Sequence, residues 1–247
     1  GVLLVYLVVP FVAFLARTGT ADVLAGLARP QTQIAIRNSL VTASVSTTVA
    51  TVFGVPLAYV LARRTFPGKR LVEGLVVLPL VLPPVVAGAM LLTAVGRFTP
   101  LGGAAAAAGV PLTGSLAGVV LAQTFVAAPF VVVTARSGFG SIDERLEHAS
   151  RSLGYTPLGT FWNVSLPLAR GSILAGVTLT FARAMGEFGA TYMVSSTPRT
   201  MPTQIWVDFV ASGIDAVVPL ALALLAVTLL VLAGVQRIGR LPGEGDG

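Results

Sequence analysis

The sequence predicts an all-α, polytopic membrane protein with about six transmembrane helices. Hydrophobic residues make up 55% of its 247 residues and charged residues only 11%, whereas about a quarter of a soluble domain is charged. Several long uncharged runs approach or exceed the about 20 apolar residues that a membrane helix requires. We identify neither an internal repeat nor a separate soluble segment. Residues 1–247 are therefore expected to form a single transmembrane domain, located in the cell membrane.

The predicted spans follow the uncharged runs in order. The first run, 1–16, is slightly short and is predicted to be a helix that lacks its beginning, since the chain opens on Gly1 rather than Met. A cleaved signal peptide is the alternative, although no basic segment precedes the run. The other spans are predicted at 38–62, 74–96, about 113–135, about 170–194 and 216–236. A loop before the fourth span is predicted from five helix-breaking residues: Pro100, Gly102, Gly103, Gly109 and Pro111.

Basic residues are concentrated on one side of the predicted spans. Ten of the 16 fall in segments 63–70, 136–170 and 237–240, five fall in the opposite loops, and Arg183 lies within a span. Because Lys and Arg are enriched in cytoplasmic loops, these three segments and both termini are predicted to face the cytoplasm. The basic residues form no stripe interleaved with aromatic residues, so nucleic acid is not expected as a partner.

The chain lacks the residues that thiolate chemistry, metal binding and nucleotide binding require. The chain has no cysteine and a single histidine, His148, so thiolate chemistry is excluded and no metal site is expected. A phosphate-binding loop of the Gly-x-x-x-x-Gly-Lys-Ser/Thr type is also missing, because the sequence around Gly68-Lys69 lacks the upstream glycine and the hydroxyl residue. We therefore expect neither a catalytic residue nor a bound cofactor in this chain.

The cytoplasmic segment 137–167 is long for a simple connection and carries helix signals. Ser141 and Glu144 are predicted to form a capping box that starts a helix running to about Ser152. Gly154 is predicted to end this helix in a left-handed conformation.

A second short helix is predicted after that turn, with Thr156 as its cap and Pro157 at its first position. Pro167 is predicted to interrupt the chain before the fifth span. The two helices are predicted to form a rigid hairpin, which either docks to a partner protein or lies as an amphipathic unit on the lipid surface. The apolar residues that suit either role are Ile142, Leu146, Leu153, Leu158, Phe161 and Trp162.

This segment resembles the EAA loop of the membrane subunits of ATP-binding-cassette (ABC) importers. That motif reads Glu-Ala-Ala, three residues, Gly, nine residues, Ile, one residue and Leu-Pro. His148 stands at the usual glutamate position beside Glu147, and either residue is a candidate for the contact that the glutamate makes. The other matching positions are Ala149, Ser150, Gly154, Val164, Leu166 and Pro167. The resemblance implies that all eight residues couple the chain to an ATPase.

Three further stretches resemble permeases of molybdate and tungstate importers: RTFPGKRLVEG at 64–74, LPLVLPPVVAG at 78–88 and FARAMGEFGAT at 181–191. Related sulfate/thiosulfate permeases share the last stretch and are the alternative. The resemblance implies a type I ABC importer permease that moves a tetrahedral oxyanion inward by alternating access. It also implies a homodimer with a second permease copy, two ABC ATPase subunits that bind ATP and Mg²⁺ at the cytoplasmic face, and an extracytoplasmic substrate-binding protein.

A secondary transporter driven by an ion gradient is the alternative from a different class. Such a protein requires titratable or ion-binding groups at the membrane midplane and usually has repeats. In this chain only Arg183 and Glu187 are charged at that depth, four residues apart in the fifth span. An isolated charge there costs about 2.5–3.5 kcal/mol, so the two are expected to pair and to face protein or water. The pair is interpreted either as structural or as part of a gate or path in which Arg183 attracts an oxyanion.

Proline and hydroxyl residues mark two other spans. Pro79, Pro83 and Pro84 require the third span to bend or break. This break is either a packed kink or a segment of the translocation path, for which Pro83 and Pro84 are the candidate residues. The second span carries hydroxyl residues that are predicted to mediate helix packing, with oxyanion contact as the alternative: Ser39, Thr42, Ser44, Ser46, Thr47, Thr48 and Thr51.

Overall fold

The computed structural model describes residues 1–17 and 19–239, and the regular secondary structure within those residues is entirely helical. The predicted all-α fold is therefore confirmed. In chain order the helices are α1 (Val2–Leu15), α2 (Thr20–Leu27), α3 (Pro30–Arg63), α4 (Lys69–Val81), α5 (Pro84–Val95), α6 (Pro100–Ala107), α7 (Leu116–Gly140), α8 (Glu144–Ser152), α9 (Pro157–Thr160), α10 (Leu166–Met185), α11 (Gly189–Val194), α12 (Met201–Ser212) and α13 (Ile214–Gly239), with a π-helical turn at Phe161–Ser165.

Within the described part of the chain, four helical segments are long and apolar enough to cross a membrane. They are Pro30–Arg63, Leu116–Gly140, the continuous helix Pro157–Met185 and Ile214–Val231. The bent pair α5 and α6, with 69° between the helices, is a candidate fifth crossing, and α1 is a shorter apolar helix. The described residues therefore support four to five of the about six predicted spans, and α1, with 14 residues, is shorter than a complete crossing requires.

The core of the molecule is formed where α3, α7 and α10 pack against one another. Small residues allow the close approach: a Cβ placed on Gly54 of α3 would lie only 3.0 Å from the Val132 side chain of α7. Ser46 of α3 donates a hydrogen bond to the Val120 carbonyl oxygen at 3.1 Å. Four of the seven hydroxyl residues predicted to serve packing are buried, namely Ser39, Thr42, Ser46 and Thr47.

The loop predicted before the fourth span is wrong in part, because Pro100–Ala107 forms α6. Thr99 caps this helix, its Oγ1 accepting a hydrogen bond from the Gly102 amide at 3.0 Å. Pro100 occupies the first turn, where its missing amide costs nothing. The alanine run that follows has the highest helix propensity of any residue type, which outweighs the two glycines.

The third and fifth predicted spans are each divided into two helices. In the third, α4 ends at Val81 and α5 begins at Pro84, as the prolines predict. The fifth begins earlier than predicted and ends at Met185, after which α11 resumes at Gly189. Contrary to prediction, Pro167 does not interrupt the helical segment Pro157–Met185. It lies in the first turn of α10 after the π-helical turn, whose wider hydrogen bonding accommodates a residue without an amide proton.

Besides α6, the helices α2 and α12 lie outside both the predicted spans and the predicted hairpin. α2 packs against α13, and α12 starts with a reciprocal capping box between Thr200 and Thr203. Two tail residues that contribute to the predicted cytoplasmic charge cannot be placed, since Arg240 and the side chain of Arg237 lie outside what the structure describes.

Candidate functional site

The first candidate site is the hairpin, which we define as residues 143–165. Its first helix, α8, is capped by Asp143, whose Oδ1 accepts a hydrogen bond from the Arg145 amide at 2.9 Å. The predicted capping box at Ser141 is therefore wrong. Ser141 instead follows the end of α7 and donates its hydroxyl to the Gly138 carbonyl oxygen at 2.8 Å. α7 extends further than the predicted span, which leaves the capping position to Asp143.

The turn between α8 and α9 follows the prediction. Gly154 has a φ of +91°, and the Tyr155 amide donates back to the Ser150 carbonyl oxygen at 3.2 Å. Thr156 caps α9 by accepting a hydrogen bond from the Gly159 amide at 3.0 Å. The two helices are further joined by a buried hydrogen bond of 3.1 Å between the Ser150 and Thr160 hydroxyls. The hairpin is therefore an ordered unit rather than an extended loop.

Glu147 is the buried charged residue of the hairpin, and only 6% of its side chain is exposed. Its Oε1 accepts hydrogen bonds from Arg63 Nε at 2.9 Å and from the Ser165 hydroxyl at 2.8 Å. The Tyr59 hydroxyl lies 3.4 Å from Oε2. A buried carboxylate requires such partners, because desolvation of an unpaired charge is costly. One side chain thus joins α8 to the end of α3 and to the start of α10.

Arg63, the last residue of α3, is the main partner of this carboxylate. Its Nη2 donates to the Ile142 carbonyl oxygen at 3.0 Å, and its Nη1 lies 3.8 Å from Glu144 Oε1. Aromatic packing supports the same junction, because the Tyr59 ring stands edge-on to Phe161 with 4.9 Å between centroids. The sequence places Arg63 on the cytoplasmic side through charge bias alone, and no pattern in the chain predicts its contact with Glu147.

The other motif positions divide between the interior and the surface of the hairpin. Ser150 is buried, and Val164 and Leu166 are half-buried. The exposed positions are His148, Ala149, Gly154 and Pro167. Glu147 rather than His148 therefore makes the buried ion pair. Of the apolar residues that suit either lipid or a partner, Ile142 and Phe161 pack against the core, while Leu146, Leu153, Leu158 and Trp162 remain exposed.

The second candidate site is the Arg183–Glu187 pair. The two residues form an ion pair with 2.5 Å between Nη1 and Oε2. The pair bridges a break rather than one continuous helix, because α10 ends at Met185. Glu187 Oε1 accepts a hydrogen bond from the Ala190 amide in the first turn of α11 at 2.8 Å, where a carboxylate also interacts favourably with the helix dipole. The Glu187 side chain is 1% exposed and that of Arg183 is 27% exposed, so the accessible charge is positive.

The breaks in the third and fifth spans lie next to each other. A Cβ on Gly88 of α5 would lie 2.8 Å from the Ala190 Cα of α11, and a Cβ on Gly189 would lie 3.0 Å from the Val85 amide nitrogen. The start of α5 therefore packs directly against α11. Pro83 is exposed and Pro84 is half-buried at this junction.

The described residues contain no group of three or more His, Cys, Asp or Glu side chains that could hold a metal ion. These two sites are built around ion pairs. Arg63 pairs with Glu147 at the hairpin, and Arg183 pairs with Glu187 at the break in the fifth span.

Comparison with known proteins shows that the chain is similar to membrane subunits of transport systems. Residues 54–241 match the family described as the binding-protein-dependent transport system inner membrane component. A probable molybdenum ABC transporter permease protein of Haloferax volcanii is 49% identical over 244 residues, which cover 99% of this chain and 89% of that protein. A molybdate/tungstate transport system permease protein of Thermococcus kodakarensis is 39% identical over 229 residues, covering 92% of this chain and 87% of that protein.

Solved structures resemble the fold. A bacterial ABC transporter involved in the import of the acidic polysaccharide alginate aligns with a TM-score of 0.77 at 16% identity, covering 96% of this chain and 90% of that chain. A methionine ABC transporter in an inward-facing conformation aligns with a TM-score of 0.66 at 22% identity, covering 83% of this chain and 93% of that chain. These likenesses show a type I importer permease fold.

Proposed function

The chain belongs to the family of binding-protein-dependent transport system inner membrane components, and we propose that it forms the membrane path of an importer for molybdate or tungstate. The observation that carries this proposal is the similarity, over nearly the whole chain, to relatives named as molybdenum or molybdate/tungstate permeases. Residues 1–247 act in this proposal as one permease domain, with both termini in the cytoplasm.

A permease of this family is a membrane subunit that works with ATPase subunits and a substrate-binding protein. In our proposal, two ABC ATPase subunits bind ATP and Mg²⁺ and dock on the hairpin of each of two permease copies. The exposed side chains of Leu153 and Leu158 support docking, because they project from an ordered unit on the side predicted to be cytoplasmic, and nothing else in the described chain covers them. This chain supplies no catalytic residue, and its motif residues, from Glu147 to Pro167, transmit the movement.

The oxyanion path is proposed to pass the junction of α5 and α11. Arg183 supports this placement, since its guanidinium is partly exposed while the Glu187 carboxylate is enclosed. A dianion approaching the junction would therefore meet the positive partner first, and Coulomb attraction is strong where water is scarce. The broken backbone at Pro83 and Pro84 supports the same path, because irregular backbone at membrane depth is tolerated only against protein or water.

Reconstitution of the complete importer tests this function. Vesicles containing the permease, its ATPase subunits and the external binding protein are expected to accumulate radiolabelled molybdate only when ATP is supplied to the ATPase side. An excess of unlabelled tungstate should compete more strongly than sulfate. Uphill uptake by the permease without the ATPase would contradict the proposal, as would uptake in which sulfate competes better than tungstate.

A further inference from the structure

The hairpin is directly connected along the chain to two of the three core helices, α7 and α10, but not to α3. It follows α7 in the chain and runs directly into α10, whereas α3 ends at Arg63, far away in sequence. Within the described residues, Arg63 joins α3 to the hairpin through a 3.8 Å contact with the exposed Glu144 and, more closely, through the buried ion pair of 2.9 Å with Glu147. We propose that this pair is the positioning contact that makes α3 move together with the hairpin when the ATPase subunits displace it. The inference rests on the proposed function for the source of that displacement.

Burial is the reason why this pair can hold two elements together. The side chains of Arg63 and Glu147 are 8% and 6% exposed, so separating them would leave two unpaired charges in a poorly solvated site. Breaking such a pair is far more costly than breaking an exposed pair, whose partners are readily hydrated. Because Ser165 donates to the same carboxylate oxygen, Glu147 also joins α3 to the beginning of α10. A displacement of α8 is thereby passed to two core helices.

The first part of α3, far from Arg63, contacts the connection between α11 and α12, which follows the break in the fifth span. Asn38 Nδ2 donates to the Arg199 carbonyl oxygen at 2.9 Å, and the Met201 amide donates to Ser39 Oγ at 2.7 Å. These bonds attach α3 to the connection between α11 and α12. Ser39 and Arg63 are 24 residues apart in one helix, which corresponds to about 36 Å. Movement of α3 would therefore reach α11 from the side opposite the hairpin.

A second ion pair in the same region provides a matched control. Arg136 of α7 and Glu73 of α4 lie 2.9 Å apart, and their side chains are 42% and 22% exposed. This pair joins two helices without contacting the hairpin. Its loss should affect local packing but not the attachment of the hairpin to α3.

Distance measurement tests whether the two elements move together. The chain is free of cysteine, so Val60→Cys on α3 and Arg145→Cys on the hairpin give two spin-label sites per chain. An importer assembled from one labelled and one unlabelled permease copy isolates the within-chain distance. Pulsed EPR on the complete importer, without nucleotide and with trapped ATP, should give a within-chain distance that changes by no more than about 2 Å. In the added Arg63→Gln background this distance distribution should broaden. A change of about one helical turn, roughly 5 Å, in the labelled protein with Arg63 intact would overturn the proposal.

The amount of molybdate taken up per ATP hydrolysed tests whether loss of the Arg63–Glu147 pair uncouples transport from the ATPase. In Arg63→Gln and Glu147→Gln, uptake per ATP should fall roughly three- to thirtyfold, the range expected when linked elements are uncoupled. Arg136→Gln should retain the ratio of the unaltered importer, and the double charge exchange Arg63→Glu with Glu147→Arg should recover part of it. An unchanged ratio in Arg63→Gln would overturn the proposal, and this includes the case in which uptake and ATP hydrolysis fall in equal proportion. If the unaltered importer failed to take up molybdate, the proposed substrate would be wrong, while the distance measurement would still decide this inference.

Discussion

Two buried glutamates define the chemistry of this chain at the scale of single residues. Glu147 and Glu187 each form an ion pair with an arginine, and each also accepts a hydrogen bond, from the Ser165 hydroxyl and the Ala190 amide respectively. These contacts meet the requirement that buried charges be paired and solvated by the protein. The pairs differ in setting, because one joins the hairpin to α3 and the other closes a break within the membrane segment.

Replacing Glu187 should destabilise the protein because it leaves the Arg183 charge without its partner. Glu187→Gln is expected to cost about 2–3 kcal/mol, below the about 3–5 kcal/mol of a fully buried pair, because Arg183 is partly hydrated. Thermal unfolding of the detergent-solubilised protein measures the effect. Asp215→Asn is the control, since it breaks the exposed Arg17–Asp215 pair and should cost at most about 1 kcal/mol. Equal effects of the two substitutions would argue against a buried role for Glu187.

Replacing Gly154 should impair coupling because its left-handed backbone excludes branched side chains. With φ at +91°, Gly154→Val is expected to be strained by about 1–2 kcal/mol, although open space surrounds the site. Uptake should fall while ATP hydrolysis continues, as measured in the reconstituted importer. Gly154→Asn should retain much of the uptake, because asparagine tolerates this conformation. Normal uptake by Gly154→Val would count against the importance of the turn.

At the scale of helices, the contact between α5 and α11 brings two interrupted spans together. Gly88 and Gly189 permit the approach, since a Cβ on either would lie within about 3 Å of the opposite backbone. The break before Pro84 and the break after Met185 therefore act as one structural unit. The proposed path requires that such a unit be displaced as a body.

Filling this contact should separate the two helices. Gly88→Leu places its Cβ 2.8 Å from the Ala190 Cα and is expected to cost at least about 1–3 kcal/mol through overpacking. Thermal unfolding and molybdate uptake should both decline. Gly74→Leu is the control, because a Cβ at Gly74 meets nothing within 4 Å. If Gly88→Leu behaved like Gly74→Leu, the packing of α5 on α11 would not be as close as described.

At the scale of the whole molecule, large hydrophobic side chains cover much of the outer surface. α1 has no buried residue, and exposed apolar side chains continue along α3 and α5. Such a surface requires lipid or protein around it, since water cannot be its only neighbour. The predicted orientation assigns the hairpin to the cytoplasmic side and the α5–α6 connection to the external side.

Cysteine labelling in intact cells tests this orientation. Phe98→Cys lies at a fully exposed position after α5, and Leu153→Cys lies at an 80% exposed position in the hairpin. In cells that lack the ATPase subunits proposed to cover Leu153, a membrane-impermeant maleimide should label Phe98→Cys while the cells are intact and Leu153→Cys only after the membrane is opened. The unaltered chain, which has no cysteine, controls for background. The reverse pattern of labelling would show that the assignment of sides is wrong.

Some elements of this fold are predictable from the sequence and others are not, and the difference depends on whether their conformation is set locally. The membrane class, the prolines of the third span and the Gly154 turn depend on composition or on the conformational limits of one residue, so the sequence determined them. The start of α8 was mispredicted because Ser141 and Asp143 are both competent caps, and the choice depended on where α7 ends. The α6 segment contains both helix-breaking glycine and proline and helix-favouring alanine, and in the fold the alanine run prevails.

By itself, the sequence determined that this protein lies in a membrane, that the third span is interrupted at its prolines and that the segment around Gly154 folds as a helical hairpin, because each depends on local composition and backbone limits. Only the tertiary structure decided which charges pair. The selection of Glu147 over His148, its contact with Arg63 and the adjacency of the two broken spans join residues that are far apart in the chain. Such contacts are set by how α3, α7 and α10 pack, and no local pattern encodes that packing.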